Sequence, residues 1–338
     1  MTTVPRHATD LVHEANASQL DDRLSDLIEY GSCPICGSTS FAVIRQAQYP
    51  ENLTKESLLS IYHASGDHSL MDQLVSCGEC KLVYLNPRVS KEIALSSYTN
   101  AVDPRFVRQN EARIRTFKRT LSKLARRYAI PASKETRVLD IGCAGGAFVK
   151  AAVDFGLTAT GIEPSAWMCE FGKKQYGLDL RQGVLEDFHL EAESFDVVTL
   201  WDVLEHVYTP IEVLNECHRL LKPGGLLIVN YPDYASVARK VLGWKWPFFL
   251  SVHLFYFTPS TIRALLSKCK LEVLEVKPFF QTLELGYVVE RASPYFSVFK
   301  SVAGAVEALG LDRVPCTYNM GQSMVVARKN GKDKGNHI

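Results

Sequence analysis

The run Asp140-Ile141-Gly142-Cys143-Ala144-Gly145-Gly146, entered from Arg137-Val138-Leu139, constrains the fold of this chain more than any other stretch. The apolar residues before it read as a short buried strand. The small residues read as a tight turn in which backbone can approach a ligand closely, and Phe148 to Val153 opens a helix. Glu163 follows Gly142 by 21 residues and closes the next strand-like run, Thr160-Gly161-Ile162. A carboxylate in that position is placed to accept both hydroxyls of a ribose. The alternative is a strand-to-helix turn with no ligand at all.

Two kinds of nucleoside ligand compete for such a turn. A dinucleotide-binding register starting at Gly142 requires glycine at positions 144 and 147, which hold Ala144 and Ala147. Asp140 discriminates further, because a carboxylate just before the turn repels a pyrophosphate. S-adenosylmethionine (SAM) has no phosphate and carries a sulfonium and an ammonium, so the charge pattern points to SAM.

The chain has 338 residues, enough for one full α/β domain and a smaller module. Its hydrophobic fraction of 46% supports a sizeable core, and no apolar run reaches the roughly 18 residues of a membrane span. Met1 to Tyr30 mixes acids, bases and polar residues without the apolar stretch of a secretion signal, so a cytoplasmic location is expected. With 38 basic against 37 acidic residues, nucleic acid is not an expected partner. The one basic cluster, with Arg108, Arg113, Arg115, Lys118, Arg119, Lys123, Arg126 and Arg127, is read as the solvated face of an amphipathic helix, against an RNA contact.

Four of the nine cysteines form two C-x-x-C pairs, Cys33 with Cys36 and Cys77 with Cys80. Without a secretion signal such pairs read as zinc ligands before disulfides. Four thiolates close a tetrahedral shell, so the site is expected to be structural. A redox role is the alternative, disfavoured because neither pair follows a strand and opens a helix. The 40 residues between the pairs fit a zinc ribbon with an inserted loop from about Gln46 to Asp72.

These signals divide the chain into a polar segment (1–30), a zinc ribbon (31–90), a helical linker (91–133), an α/β domain (134–330) and a disordered tail (331–338). The fold class expected for 134–330 is a doubly wound, seven-stranded, mostly parallel sheet. Strands are expected near 137–141, 159–163, 180–183, 195–200, 225–231, 271–277 and 322–329. Helices are expected near 91–99, 103–128, 146–156, 165–176, 209–221, 258–269 and 294–309.

From Arg137 to about Lys277 the chain resembles class I SAM-dependent methyltransferases of the subgroup that includes ubiquinone-pathway O-methyltransferases and natural-product enzymes. The resemblance rests on Asp140 to Gly146, Gly161 to Ser165, Ser194 to Val198, Val203 to Val207, Leu220 to Gly225 and Phe257-Thr258-Pro259. The Cys-rich front is similar to that of deoxysugar C-methyltransferases and of methyltransferases of polysaccharide assembly. The large extra C-terminal domain of the former is not matched here, which counts against that substrate. The resemblance implies that Gly142, Cys143, Ala144 and Gly145 line the methionine portion of SAM, with Asp140 near its ammonium. It implies that Glu163 and Pro164 adjoin the ribose and that Leu185, Glu186 and Asp187 adjoin the adenine, although Asp187 reads equally as a helix cap. Trp201 and Asp202, at a strand end, are expected at the cofactor or transfer site, with Trp201 as a core residue the alternative.

His206 and His253 are the candidate catalytic bases, against structural histidines. The aromatic insertion 244–257 is expected to form a lid over the acceptor, with an oligomer interface or a membrane-surface contact as alternatives. The expected activity is methyl transfer to a small molecule or glycan precursor, with oxygen favoured over carbon. A ribosomal RNA methyltransferase and a catalytically silent scaffold are the competing readings.

Overall fold

In the computed structural model, residues 27–49, 54–62, 70–296 and 298–331 are described. Most of the expected polar segment, parts of the loop 46–72 and nearly all of the expected tail lie outside them. The dominant element is a seven-stranded sheet. Its strands are β1 (Arg137–Ile141), β2 (Thr158–Glu163), β3 (Asp179–Gln182), β4 (Phe195–Trp201), β5 (Leu221–Pro232), β6 (Leu271–Pro278) and β7 (Gln322–Lys329). Their order is β6-β7-β5-β4-β1-β2-β3, with β7 antiparallel to both neighbours and the remaining pairs parallel. This is the doubly wound, seven-stranded, mostly parallel sheet that the strand and helix pattern predicts.

The central strands are buried on both faces, which is why they read as continuous apolar runs. Ile141 of β1 lies level with Leu200 of β4 and Ile162 of β2, so the carboxyl ends of three adjacent strands coincide. The order in which strands are laid down reverses at β1, with β2 and β3 on one side and β4 and β5 on the other. That switch point leaves a crevice above the strand ends.

The segment expected as a linker is part of the domain. It forms α1 (Lys91–Thr99) and α2 (Asn110–Tyr128). Leu121 and Leu124 of α2 join Phe148, Val149 and Val197 in one core. A two-stranded antiparallel ribbon that the periodicity did not reveal, Gln281–Glu284 with Pro315–Tyr318, packs on α2 through the Thr282 N–H donating to Thr116 Oγ1 at 2.8 Å. The late helix runs over Val298–Ala308 and is preceded by another at Leu285–Ala292. Among the described residues no helix is long and apolar enough to cross a membrane.

The N-terminal module is a four-stranded antiparallel sheet of Phe41–Arg45, Leu74–Cys77, Val83–Leu85 and Phe255–Tyr256. Its last strand comes from the aromatic insertion, and this corrects the lid expectation. Phe255 pairs with Tyr84 and Tyr256 with Val83, while the Leu70 N–H donates to Phe249 O at 2.9 Å. Trp246, Phe249, Leu254, Phe255, Tyr256 and Phe257 are buried, and the Trp246 indole N–H donates to Met320 O at 2.7 Å. A segment so committed to internal packing does not open and close over a substrate. It is the seam between the two modules.

Trp246→Ala is therefore expected to lower the unfolding free energy by about 3–5 kcal/mol. Trp244→Ala, at a position 52% exposed, should change it by less than about 0.5 kcal/mol. Urea denaturation checks both, and equal effects would contradict the seam.

Candidate cofactor cleft and thiolate cluster

A cleft of about 580 Å³ opens above the carboxyl ends of β1, β2, β4 and β5 and is walled by α1, α2 and the loop after β6. Twelve residues expected at the cofactor from sequence stand in its lining: Asp140, Gly142, Cys143, Ala144, Gly145, Glu163, Pro164, Leu185, Glu186, Asp187, Trp201 and Asp202. Sheet register explains the convergence. Asp140, Glu163 and Trp201 lie at the ends of the aligned strands, and Leu185 to Asp187 form a single 3-10 turn beyond β3.

The turn after β1 is held by the Gly142 and Cys143 N–H groups donating to Ile162 O, at 2.8 and 3.0 Å. Gly142 has φ +67, and a Cβ there would sit 2.5 Å from Val203 Cγ2. At Gly145 a Cβ would meet Asn110 Nδ2 at 2.8 Å. The glycines thus make room for neighbouring side chains of the protein, rather than only for a ligand as the sequence suggested. Glu163 is buried and accepts from Ala144 N and Ser165 N, both at 2.9 Å. Burial raises its pKa, and those two amides oppose the rise. Asp140, 2% exposed, accepts from Thr199 Oγ1 at 2.6 Å. Burial lifts its carboxyl to about 8, against the pull of that hydroxyl, and the charge of Glu163 adds to the rise.

Asp187 Oδ2 accepts from Val184 N at 2.8 Å, so this carboxylate caps the turn. Trp201 packs among Phe117, Phe148 and Phe279 with ring centroids 4.9 to 5.4 Å away, and its buried indole N–H has no protein acceptor. Asp202 holds φ +54 and accepts from Asn230 Nδ2 at 2.7 Å and Gln322 Nε2 at 2.6 Å.

Sequence reasoning missed Tyr98, Asn110, Arg113, Asn230 and Gln281, all of which line the cleft. Arg113 had been assigned to a solvated helical face; it faces inward, with its guanidinium 3.7 Å from the centre of the Phe106 ring. A signal existed, because 110, 113 and 117 share one helical stripe with apolar Phe117. Asn110 Oδ1, Arg113 Nε, Trp201 Nε1 and Asn230 Oδ1 are buried without protein partners. A cleft carrying both carboxylates and such orphaned polar groups suits a ligand with both positive and negative ends.

A profile of the family described as "Methyltransferase domain" matches residues 107–276, half of the chain. The chain belongs to this family. Relatives include the ubiquinone biosynthesis O-methyltransferases of Actinobacillus pleuropneumoniae, 39% identical over 104 residues (28% of this chain, 44% of that protein), and of Xanthomonas campestris, 31% identical over 169 residues (46% and 70%). The chain spans about half the length of most curated relatives it matches. Among solved structures it is similar to a SAM-dependent methyltransferase from Archaeoglobus fulgidus, at 18% identity and TM-score 0.45, covering 67% of this chain and 100% of that one.

The two expected bases of this methyltransferase-family chain lie together, but only His206 lines the cleft. His253 is buried, its ring 4.7 Å from that of His206, so it is not placed to contact an acceptor directly. Its Nδ1 donates to Phe248 O at 2.8 Å. His206 Nδ1 lies 2.9 Å from Val252 O and 2.7 Å from the Tyr98 hydroxyl. Burial lowers the His206 imidazole to about 4 and drives His253 down as well, so both are neutral at pH 7.

At the other module, Cys33, Cys36, Cys77 and Cys80 place their sulfurs within 4.8 Å of one another, with Cys33–Cys80 and Cys36–Cys77 each at 3.4 Å. Disulfide sulfurs stand about 2.05 Å apart, whereas a tetrahedron with Zn–S bonds of about 2.3 Å has edges of about 3.8 Å. The thiol spacing fits the second. Backbone N–H groups of Ile35 and Cys36 point to Cys33, and those of Ser38 and Leu82 to Cys36 and Cys80.

Asp140 yields a pH prediction. The folded protein keeps its proton up to about pH 8, while an unfolded Asp releases it near 4. Its contribution to stability is present below about pH 4 and is lost as pH rises towards 8. Asp140→Asn should therefore lose less unfolding free energy than the wild type between about pH 5 and 8 in urea titrations. Parallel pH profiles would show that Asp140 titrates normally.

Proposed function

We propose that the protein transfers the methyl group of SAM to a hydroxyl oxygen of a small molecule or glycan precursor. The observation that carries this reading is the pair Asp140 and Glu163, buried side by side at the ends of β1 and β2 in the wall of one cleft. Burial raises the pKa of both carboxyls, and a cation bound beside them draws them back to the ionised form, so the pair favours a cationic nucleoside over a phosphate. Asp140 would hold the ammonium, Glu163 the ribose hydroxyls, and Leu185 with Glu186 the adenine. Arg113 is the group suited to the methionine carboxylate, since it is the cation in the lining at the turn side of the cleft, next to Asn110. The chemistry supplied by bound SAM is an electrophilic methyl group displaced in line.

The protein's own contribution is alignment and exclusion of water. Tyr98, Phe106, Tyr208 and Phe279 wall the cleft, and ring faces suit a flat or cyclic acceptor. Enclosure by α1 and by the loop after β6 favours a small acceptor over a folded RNA. The O-methyltransferase names of the relatives support oxygen as the atom methylated. The four cysteines are read as a structural zinc site, because their sulfurs converge within 4.8 Å of one another and four sulfur ligands leave no open position.

Calorimetry should show SAM binding to the wild type and an affinity about 10- to 100-fold weaker in Arg113→Ala, the cost of one charge-assisted hydrogen-bonding partner. Methyl-labelled SAM offered with panels of small phenols and sugar precursors should label a hydroxyl. Wild-type protein that binds no SAM would overturn the reading. For zinc, elemental analysis should find one equivalent in the wild type and none at the thiolates of Cys77→Ala; a metal-free wild type would refute that assignment.

A further inference from the structure

The lining of the cleft is electrically divided. Its carboxylates include Asp140, Glu163 and Asp202 at the strand ends, whereas Arg113 and Lys91 are the only lysine or arginine in it. On the methyl-transfer reading above, Arg113 meets the methionine carboxylate, which is the one anionic group of SAM. Lys91 is then left without a task. It is exposed, it is the first residue of α1, and no ion pair among the described residues engages it. Lys91, Ala94, Leu95 and Tyr98 follow one helical stripe, and all four line the cleft. The far end of the stripe is anchored by the Tyr98 hydroxyl, 2.7 Å from His206 Nδ1. Lys91 stands two turns away from that anchor, some 10 Å along the helix axis.

The loop that continues from His206 adds Tyr208 and Thr209 to the lining. The Tyr208 hydroxyl is buried without a partner, which a buried hydroxyl rarely is. Its ring is held in place: the Arg88 guanidinium lies 3.8 Å from the ring centre, and Arg88 Nη1 donates to Tyr208 O at 3.1 Å. Thr209 is the N-cap of the helix Pro210–Leu220, yet its hydroxyl caps nothing, and Ser90 leaves the start of α1 equally without a side-chain cap. Two helix starts in one lining add partial positive charge to that of Lys91. The acids of the two first turns, Glu92 and Glu212, are not part of the lining.

We propose that Lys91, Tyr208 and Thr209 bind an anionic group of the methyl acceptor, a phosphate or a carboxylate. This rests on the methyl-transfer reading and narrows it, because it selects a charged sugar precursor over an uncharged phenol. A phosphate or carboxylate accepts what these residues have to donate, an ammonium and two hydroxyls, and supplies the counter-charge that Lys91 lacks. An uncharged ring supplies none. The carboxylates at the strand ends and the donors at the start of α1 then sort the two ligands by charge, the cationic nucleoside to the sheet edge and the anion to the helix side.

The test uses the full-length protein with saturating S-adenosylhomocysteine, titrated calorimetrically at low salt with glucose 1-phosphate, glucuronate, glucose and inorganic phosphate. Glucose 1-phosphate or glucuronate should bind at least about tenfold more tightly than glucose, and whichever does so names the anion. Lys91→Ala should reduce that preference about three- to tenfold and Lys91→Glu should abolish it, with the affinity for S-adenosylhomocysteine unchanged. Tyr208→Phe keeps the ring on Arg88 and should reduce the preference as well. Glucose bound as tightly as both anionic sugars overturns the proposal, as does an undiminished preference in Lys91→Glu. Inorganic phosphate bound as tightly as glucose 1-phosphate also overturns it, because the site then holds a free anion and no acceptor. S-adenosylhomocysteine binding separates the two readings: its absence beside an intact anion preference refutes methyl transfer alone, and its presence without that preference refutes the anion site alone.

Discussion

The cleft is organised by the need to match carboxylates that the sheet buries at its carboxyl edge. Asp140, Glu163 and Glu205 are at most 7% exposed, and Asp202 sits beside them at the cleft wall. Each is compensated by a different element. Asp140 receives a hydroxyl from β4, Glu163 receives two amides from the turns after β1 and β2, and Asp202 receives Asn230 and Gln322 from β5 and β7. The compensation ties five strands together at one edge, because removing a partner leaves charge or dipole unmatched in a dry site. Glu205 is the exception: neither of its oxygens has a hydrogen-bond partner, and burial pushes its carboxyl well towards the neutral form, with the charge of Asp202 adding to the rise.

The same pairing explains the chemistry of the turn that opens the domain. Glu163 does not hang free for a ligand. It already accepts from Ala144 N, so it shapes the turn that, on the proposed reading, would hold the methionine portion. A carboxylate with both oxygens engaged by amides keeps a fixed direction, and fixed direction is what a bidentate contact to two hydroxyls requires. The glycines serve the same end indirectly: Gly142 yields to Val203 and Gly145 to Asn110, and both neighbours line the cleft.

The sheet was legible because each of its strands carries a local signal: apolar runs at β1, β4 and β5, and a turn or carboxylate at the end of β1 and β2. The cleft residues contributed by those strand ends were legible for the same reason. What escaped depends on contacts distant in sequence. The strand Phe255–Tyr256 completes a sheet whose other strands end at Leu85, and no local pattern says that an aromatic run will pair some 170 residues upstream. The two-stranded ribbon of Gln281–Glu284 with Pro315–Tyr318 is short, and its partner on α2 is as remote. Arg113 was misplaced for a related reason: on a helix rich in basic residues, composition hides the one that shares a stripe with Phe117.

The aromatic insertion connects these observations. Its strand pairs with Val83–Leu85, and Cys77 and Cys80 flank the turn that leads into that strand. At the entry to that strand Leu254 N and Phe255 N donate to Glu205 O, and His253 lies directly before them. The thiolate cluster therefore fixes the strand against which the insertion pairs, and the insertion fixes a ring beside His206 in the cleft wall. A small module with few core residues needs a staple to hold a strand in place, and the zinc proposed for the four converging sulfurs would provide one. On this argument the Cys-rich front end is a brace for the acceptor side of the cleft, acting through a continuous path of paired backbone rather than by touching either ligand.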